Sequence, residues 1–157
     1  MSLIHSLCYQ PERPEQKPQP AHYIRVPVES CQLITDHGIE GDQKGGHHPD
    51  RQLNLMSLET LEIMRAEGYK TNPGEMGEQI IISGLDVGNL ASGTRLQLGS
   101  EALIEIKERR KGCEWFIDIQ GKSPKDTAGN MGVMAAVIAD GVVRVGDAVK
   151  VIEQVNA

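Results

Sequence analysis

The chain has 157 residues, of which 39% are hydrophobic and 24% are charged, and its formal net charge is −6. This length suggests a single domain over residues 1–157, large enough to bury a core without disulfides or metals. The acidic balance argues against nonspecific binding to nucleic acid or to an anionic membrane, because such binding depends on a wide basic face.

Cysteine usage and the N-terminus predict a cytoplasmic protein. The three cysteines Cys8, Cys31 and Cys113 show neither a CxxC motif nor a Cys/His spacing typical of zinc sites. We therefore expect reduced thiols and no disulfide framework. The N-terminus has no basic region before an apolar run, so no secretory signal is expected. No window approaches the ~18 apolar residues of a membrane-spanning helix.

Strands and loops alternate in the first third of the chain. Residues 2–9 predict a short strand, and residues 11–20 hold four prolines, which predicts an extended surface loop. Residues 22–42 predict one or two strands that end in a Gly-rich turn. Residues 41–51 are polar, with three glycines and two histidines, and predict a loop. Residues 52–56 alternate between polar and apolar, as a strand does.

One helix is predicted over residues 57–67. Ser57 is a favourable N-cap, and acidic residues follow in the first turn. Leu58, Leu61 and Met64 form an apolar stripe at helical spacing. Gly68 then predicts the end of the helix.

The remainder of the chain predicts mainly strands. Residues 72–79 read as a loop, and residues 80–87 as a buried strand followed by a turn. Residues 94–108 and 133–153 each predict a hairpin, the second with a turn at Asp140–Gly141. Many short strands with tight turns and one or two short helices predict a mainly β, barrel-like fold.

Cys113 is the most reactive candidate among the cysteines. It follows four cations, and nearby Lys or Arg favours the nucleophilic thiolate over the thiol. Strand alternation would place three of the cations on one side and Arg110 on the other, so they cannot all reach the sulfur. The simpler alternative is a buried, unreactive cysteine next to charged residues that are only solvated. The four cations are Lys107, Arg109, Arg110 and Lys111.

The loop over residues 36–51 is a second candidate site. Its aspartates and histidines are possible metal ligands, but their spacing matches no ligand pattern on a regular element. Its glycines expose backbone N–H groups near Lys44 and Arg51, a combination that can hold a phosphate. Farther along, Glu75 and Glu78 form a carboxylate pair that suggests general-base work, although glutamates beside a tight turn are more often only solvated.

Several motifs then line up in one order. They are GIEGD (38–42), RQLNLMS (51–57), PGEMGEQIIISGLDVGNLASGTRLQLG (73–99), Cys113 after a basic strand, and GVVRVGDAVKV (141–151). In this order and spacing the chain, from about residue 24 to 153, resembles the MOSC domain, named for the C-terminal domain of molybdenum-cofactor sulfurases. The resemblance is to the stand-alone bacterial type.

The resemblance implies a β-barrel-like fold with one characteristic cysteine, which corresponds to Cys113. In the sulfurases the domain is thought to bind the molybdenum cofactor and to help transfer sulfur to the metal. In related oxidoreductases the same cysteine ligates molybdenum. Stand-alone bacterial members are proposed to carry sulfur or cofactor, or to detoxify N-hydroxylated bases.

For this chain the resemblance implies molybdenum cofactor (molybdopterin) as ligand, with Cys113 as the catalytic residue, acting as molybdenum ligand or persulfide carrier. Expected partners are a sulfur donor or an electron-transfer protein. No pyridoxal-phosphate lysine motif is present, so the chain would receive sulfur and not generate it from cysteine. The expected cofactor-binding residues are Lys44, His47, Arg51, Glu78, Gln79 and Arg109.

Two departures from the family pattern keep an alternative open. Gln79 stands where the family usually has Asn after Gly-Glu, and Gly112 stands where proline often precedes the cysteine, which would loosen that backbone. These changes fit a non-catalytic regulatory or interaction module on the same fold. A cysteine hydrolase is a third reading, and it would need His47 or His48 within ~3.2 Å of Cys113.

Overall fold

Strands dominate the computed structural model, which describes residues 1–153. Within these residues the chain forms eleven strands and two α-helices. In chain order they are β1 (Leu3–Tyr9), β2 (Val26–Val28), β3 (Ser30–Ile34), β4 (Gly38–Ile39), β5 (Leu53–Ser57), α1 (Leu58–Ala66), β6 (Ile80–Ser83), β7 (Arg95–Leu98), β8 (Ala102–Arg109), α2 (Glu114–Gln120), β9 (Val133–Ala139), β10 (Gly141–Arg144) and β11 (Val149–Glu153).

The strands form two sheets. The larger has eight strands in the order β11-β7-β8-β9-β5-β6-β1-β2, and the smaller has three in the order β10-β3-β4. The pairings are antiparallel, except that β5 and β6 run parallel. Helix α1 lies between β5 and β6 in the chain and makes the crossover that a parallel pair requires. The mainly β prediction with two helices is confirmed.

Neither sheet closes on itself within residues 1–153, so the barrel-like closure is not confirmed. Strand β1, next to the end strand β2, meets the residue that precedes the other end strand, β11, at an isolated antiparallel bridge between Leu3 and Ala148. Two backbone hydrogen bonds flank it, from the Ile4 N–H to the Asp147 carbonyl and from the Val149 N–H to the Ser2 carbonyl, each 2.9 Å long.

The core consists of two apolar clusters on opposite faces of the large sheet. Strand β6 shows the division, because Ile80 and Ile82 belong to one cluster and Ile81 to the other. A strand buried on both faces explains the uninterrupted apolar run in this part of the sequence. The second cluster includes Leu61 of α1 and Phe116 of α2, so both helices pack on the same face.

Helix α1 matches the predicted helix closely. Ser57 precedes it, but its hydroxyl does not cap the helix. Instead the hydroxyl donates to the Leu85 carbonyl and accepts the Val87 N–H, at 2.5 and 2.9 Å. Ser57 therefore ties the start of α1 to the turn after β6.

The first predicted hairpin is confirmed and the second is wrong. Strands β7 and β8 pair as a hairpin. Strand β9 pairs with β5 and β8, whereas β10 pairs with β3 in the other sheet. The chain changes sheets at Asp140, whose carboxylate accepts the Thr35 N–H and hydroxyl at 2.6 and 2.7 Å. These two bonds hold the connection against β3 and prevent the tight turn.

Residues 11–20 form no helix or strand, as predicted, and lie mostly on the surface. Helix α2 was not identified at this position from the sequence. None of the helices within residues 1–153 is long and apolar enough to cross a membrane.

Candidate functional site

Cys113 lies at the N-cap position of α2, and its side chain is exposed. The backbone there is extended, with φ −128° and ψ 177°. The helix that follows is fixed by Phe116, which is fully buried in the second cluster. The sulfur therefore sits at the rigid end of a packed element while it remains accessible.

Cys113 opens into a cleft of about 430 Å³. Three parts of the chain face it there: the segment before β2 with Tyr23 and Arg25, the loop after β4 with Lys44, and the proline-rich segment. Trp115, in the first turn of α2, completes the wall. A cleft of this size is within the range of small-molecule sites.

The cleft is positively charged although the chain is acidic. Its lining includes Arg13, Lys17, Arg25 and Lys44, and Glu15 is the only carboxylate among the described lining residues. Desolvation and the positive charges of Arg25 and Arg13 lower the pKa of Lys44. The cations are thus close enough to repel one another, so an anionic group in the cleft would relieve this repulsion.

Two arginines bind the loop before β6 from within the site. Arg25 Nη2 donates to the Gly77 carbonyl at 2.9 Å, and Arg110 Nη2 donates to the Met76 carbonyl at 2.8 Å. Desolvation lowers the pKa of both guanidinium groups. Arg25 Nε is buried and has no hydrogen-bond partner within the part of the chain that the structure describes. An unpaired buried donor of this kind is costly, and a bound acceptor would satisfy it.

Glu78 lies beneath this loop and is 1% exposed. Its carboxylate accepts the Gly74 N–H at 2.8 Å and the Met76 N–H at 3.2 Å. Burial raises the pKa of Glu78, and the opposing charge of Arg110 and the backbone hydrogen bonds act against that rise. Two buried carboxylates therefore act on the guanidinium groups, since Asp42 and Glu78 both act on Arg25 and Glu78 also acts on Arg110.

Tyr23 connects the loop before β6 with the cysteine. Its ring packs against Gly77, where a Cβ would come within 2.9 Å of the Tyr23 Cζ, and Gly77 has φ +79°. Burial raises the pKa of Tyr23 to about 12, and the charge of Cys113 adds to the rise. The phenol therefore stays protonated at neutral pH and serves as a hydrogen-bond donor beside the sulfur.

Gln79 organises the site from below and is 2% exposed. Its Oε1 accepts the Asn54 N–H at 2.8 Å, and its Nε2 donates to Asp42 Oδ2 at 3.1 Å. The other Asp42 oxygen accepts the backbone N–H groups of Gln10 and Lys44, at 2.9 and 3.2 Å. Gln79 thus fixes the backbone that carries Lys44 to the cleft.

Four of the six predicted cofactor-binding residues lie in the cleft or next to it. Lys44 lines the cleft with Cys113. Glu78 and Gln79 lie buried beneath it and support its walls. His47 lies at its edge, where its Nε2 is 3.3 Å from Arg13 Nη2 and 2.9 Å from the Gln43 carbonyl.

The remaining two predicted residues, Arg51 and Arg109, neither line the cleft nor support its walls. Arg51 Nε bonds Glu108 at 3.0 Å, and Arg109 Nη2 bonds Asn89 at 3.0 Å. Of the four cations that precede the cysteine, Arg110 is the one whose charge acts on the Tyr23–Cys113 pair. The strand-alternation argument had placed Arg110 on the opposite side.

Most of the lining was not identified from the sequence. Arg13, Lys17, Tyr23 and Arg25 are separated from Cys113 by about ninety residues or more of chain. The one sequence signal for this lining was the presence of Arg13 and Lys17 in the proline-rich loop, because basic side chains on a stiff surface segment can bind an anion.

Gly112 is packed tightly, contrary to the expectation that it loosens the backbone before Cys113. A Cβ at this position would come 2.2 Å from Pro124 Cγ and 2.7 Å from Pro124 Cβ. Glycine is required here because the ring of Pro124 occupies the space of a side chain.

The other cysteines lie outside the cleft. Cys8 is buried, and desolvation raises the pKa of its thiol. Desolvation and the charge of Asp42 raise the pKa of Cys31 to about 12. Within residues 1–153, no group of three or more His, Cys, Asp or Glu side chains is arranged to hold a metal ion.

Solved structures with the same fold include proteins from three bacteria. The YuaD protein from Bacillus subtilis has a TM-score of 0.75 at 18% identity, over 95% of this chain and 94% of that chain. YiiM from Geobacillus stearothermophilus has a TM-score of 0.71 at 16% identity, over 98% and 76% of the two chains. YiiM from Escherichia coli has a TM-score of 0.67 at 20% identity, over 99% and 72%.

Comparison with sequences of individually curated proteins gives no significant match. The sequence profile of the MOSC domain matches residues 42–150, well over half of the chain. The match includes Cys113, Lys44 and the loop that carries Glu78 and Gln79. The chain belongs to the MOSC domain family, which is associated with binding of the molybdenum cofactor.

Proposed function

We propose that this protein binds the molybdenum cofactor, or carries sulfur for it, through the Cys113 thiolate. The observation that carries the proposal is the juxtaposition of an exposed cysteine with four cations in one cleft. The cofactor is anionic because it carries a phosphate and a dithiolene. A positively charged cleft on an acidic chain favours an anionic ligand over a neutral one.

The residues present fit this ligand. Arg25 Nε offers a buried donor that has no partner within residues 1–153, and an acceptor oxygen of the ligand would satisfy it. Lys44, Arg13 and Lys17 supply further positive charge around the cleft. When bound, the cofactor would supply a soft metal–sulfur centre, for which a thiolate is a suitable ligand.

The chain's own residues surround the sulfur with cations and a hydrogen-bond donor. The charges of Arg110 and Lys44 act on Cys113. Tyr23 keeps its proton and can donate a hydrogen bond to that sulfur. Glu78 holds the loop that receives both arginines.

In the sulfur-carrier form of the proposal, the Cys113 thiolate attacks the terminal sulfur of a persulfide on a donor protein. The S–S bond of the donor breaks, and the donor cysteine leaves as a thiolate. Cys113 then carries the persulfide. The transferred sulfur keeps its oxidation state, so the step needs no separate oxidant or reductant.

The test is metal, pterin and cyanolysable-sulfur analysis of the protein purified from a host that makes molybdenum cofactor, with Cys113→Ala alongside. Molybdenum and pterin in the native protein and their loss in the variant would support a ligand role. Sulfane sulfur alone, lost in the variant, would support the carrier role. If the native protein carries none of these, or the variant retains them, the proposal fails and the non-catalytic interaction module is favoured.

A further inference from the structure

Residues 11–20, the Pro-rich strap, form one wall of the Cys113 cleft. The strap contributes Arg13, Lys17 and the residues between them to the lining. Its four prolines fix the backbone φ angles and favour an extended, stiff segment. Its side chains are mostly exposed, so packing in the core does not hold it in place.

The strap is anchored firmly at its start. The Gln10 N–H donates to Asp42 Oδ1 at 2.9 Å, and the Gln10 carbonyl accepts the Gln43 N–H at 2.7 Å. Asp42 is itself buried and bonded to Gln79. If the strap moves, its backbone should therefore rotate at residues that follow Gln10, and the base of the cleft should keep its structure.

Lys17 joins the strap to the helix that carries the cysteine. Its Nζ lies 4.7 Å from the centre of the Trp115 ring, which is cation–π distance. Trp115 is two residues beyond Cys113, in the first turn of α2. A second side-chain contact of the strap, between Arg13 and His47, is weaker. His47 Nε2 faces both Arg13 and the Gln43 carbonyl, and it cannot accept from one and donate to the other at once.

We propose that the Lys17–Trp115 pair is a latch that holds the Pro-rich strap in place and so determines the size of the molecule that reaches the Cys113 sulfur. With the latch closed, Cys113 is exposed to small molecules through the open part of the cleft. A bulky group has to displace the strap first. An exposed cation–π contact is weak enough that its loss raises the population of the open strap about two- to fivefold.

The latch would restrict access to Cys113 by the size of the reacting molecule. This inference rests on the proposed function only in assuming that Cys113 is the reacting group. A large cofactor or a persulfide on a donor protein would have to open the strap, whereas small thiol reagents would not. The arrangement protects a reactive sulfur without burying it.

The test compares alkylation of Cys113 by iodoacetamide and by a maleimide joined to a bulky polyethylene glycol, in Lys17→Ala and in the native chain without cofactor. Peptide mass spectrometry identifies the labelled cysteine. Both reagents react with the same thiolate, so we expect the ratio of the bulky-reagent rate to the iodoacetamide rate to be about two- to fivefold higher in Lys17→Ala than in the native chain. Equal acceleration of both reagents, or of neither, would overturn the proposal.

Trp115 gives a second readout because it is the only tryptophan in the chain. Acrylamide quenching of its fluorescence should increase in Lys17→Ala. Lys17→Arg keeps a cation over the ring and should restore both native values. Lys150→Ala, which removes an exposed lysine outside the cleft, is the matched control and should change neither.

Unchanged quenching in Lys17→Ala would show that Lys17 does not cover the indole ring, and the latch would be wrong. These measurements need no molybdenum cofactor. A protein that fails to bind cofactor can still show the latch, so the two proposals fail separately.

Discussion

Shortening Gln79 by one methylene tests how the site is supported. In the native chain one amide reaches two partners, because Oε1 accepts the Asn54 N–H at 2.8 Å and Nε2 donates to Asp42 Oδ2 at 3.1 Å. Gln79→Asn, the residue that the family pattern usually has, places the amide on a shorter arm. Without movement of the backbone, the shorter side chain can keep at most one of the two bonds.

The expected cost follows from the group left without a partner. Gln79 is 2% exposed and Asp42 is 3% exposed, so water does not readily replace the lost bond. A buried polar group left unpaired costs about 1–3 kcal/mol. For a chain of this length, about 2 kcal/mol corresponds to a fall in Tm of roughly 4–8 °C. Gln79→Ala removes both bonds and should cost about twice as much.

Urea and thermal unfolding followed by circular dichroism measure these free energies of unfolding. The matched control is Gln97→Asn, since the Gln97 side chain donates one exposed hydrogen bond to the Ser100 carbonyl. We expect that control to stay within about 0.5 kcal/mol of the native chain. If Gln79→Asn is no less stable than Gln97→Asn, the amide does not bridge its two partners in the way described.

Three further outcomes are expected. Gly77→Ala should lower the free energy of unfolding by more than about 1 kcal/mol, because Gly77 has φ +79° and the new Cβ would meet the Tyr23 ring. A urea-unfolding curve like that of the native chain would contradict this. Burial raises the pKa of Glu78 above its unfolded value, so the folded state holds the proton more tightly and stability falls as pH rises through that interval. Between pH 4 and 7 the free energy of unfolding of the native chain, measured by urea unfolding relative to that of Glu78→Gln, should fall as the pH rises, and equal slopes in the two proteins would refute this. Iodoacetamide at neutral pH should label Cys113 and spare Cys31, whose pKa is raised to about 12; mass spectrometry showing equal labelling would refute it.

The sequence predicts the parts of this fold that local patterns specify. Helix α1 and the β7–β8 hairpin have clear periodicity and turn residues, and both lie where expected. Helix α2 has only seven residues, with aromatic and β-branched side chains among them, so its intrinsic helix preference is weak. Burial of Phe116 against the second cluster stabilises this helix, and that contact depends on tertiary structure.

Long-range contacts explain the other differences. The turn at Asp140–Gly141 has the composition of a tight hairpin, but hydrogen bonds from Thr35, about a hundred residues away, hold Asp140 against another strand. In the site, Cys113 and Lys44 were identified from local chemistry and do share the cleft. Tyr23 and Arg25 could not be identified, since only the folded sheet brings the segment before β2 beside α2.

The close contact between Gly112 and Pro124 has a consequence for protein engineering. The two positions are sterically coupled, because the ring at one occupies the volume of a side chain at the other. Placing the family's proline before the cysteine would therefore call for a paired replacement, with Pro124 exchanged for a smaller residue in the same step. Variants that fold should accordingly have a large side chain at position 112 or at position 124, but not at both.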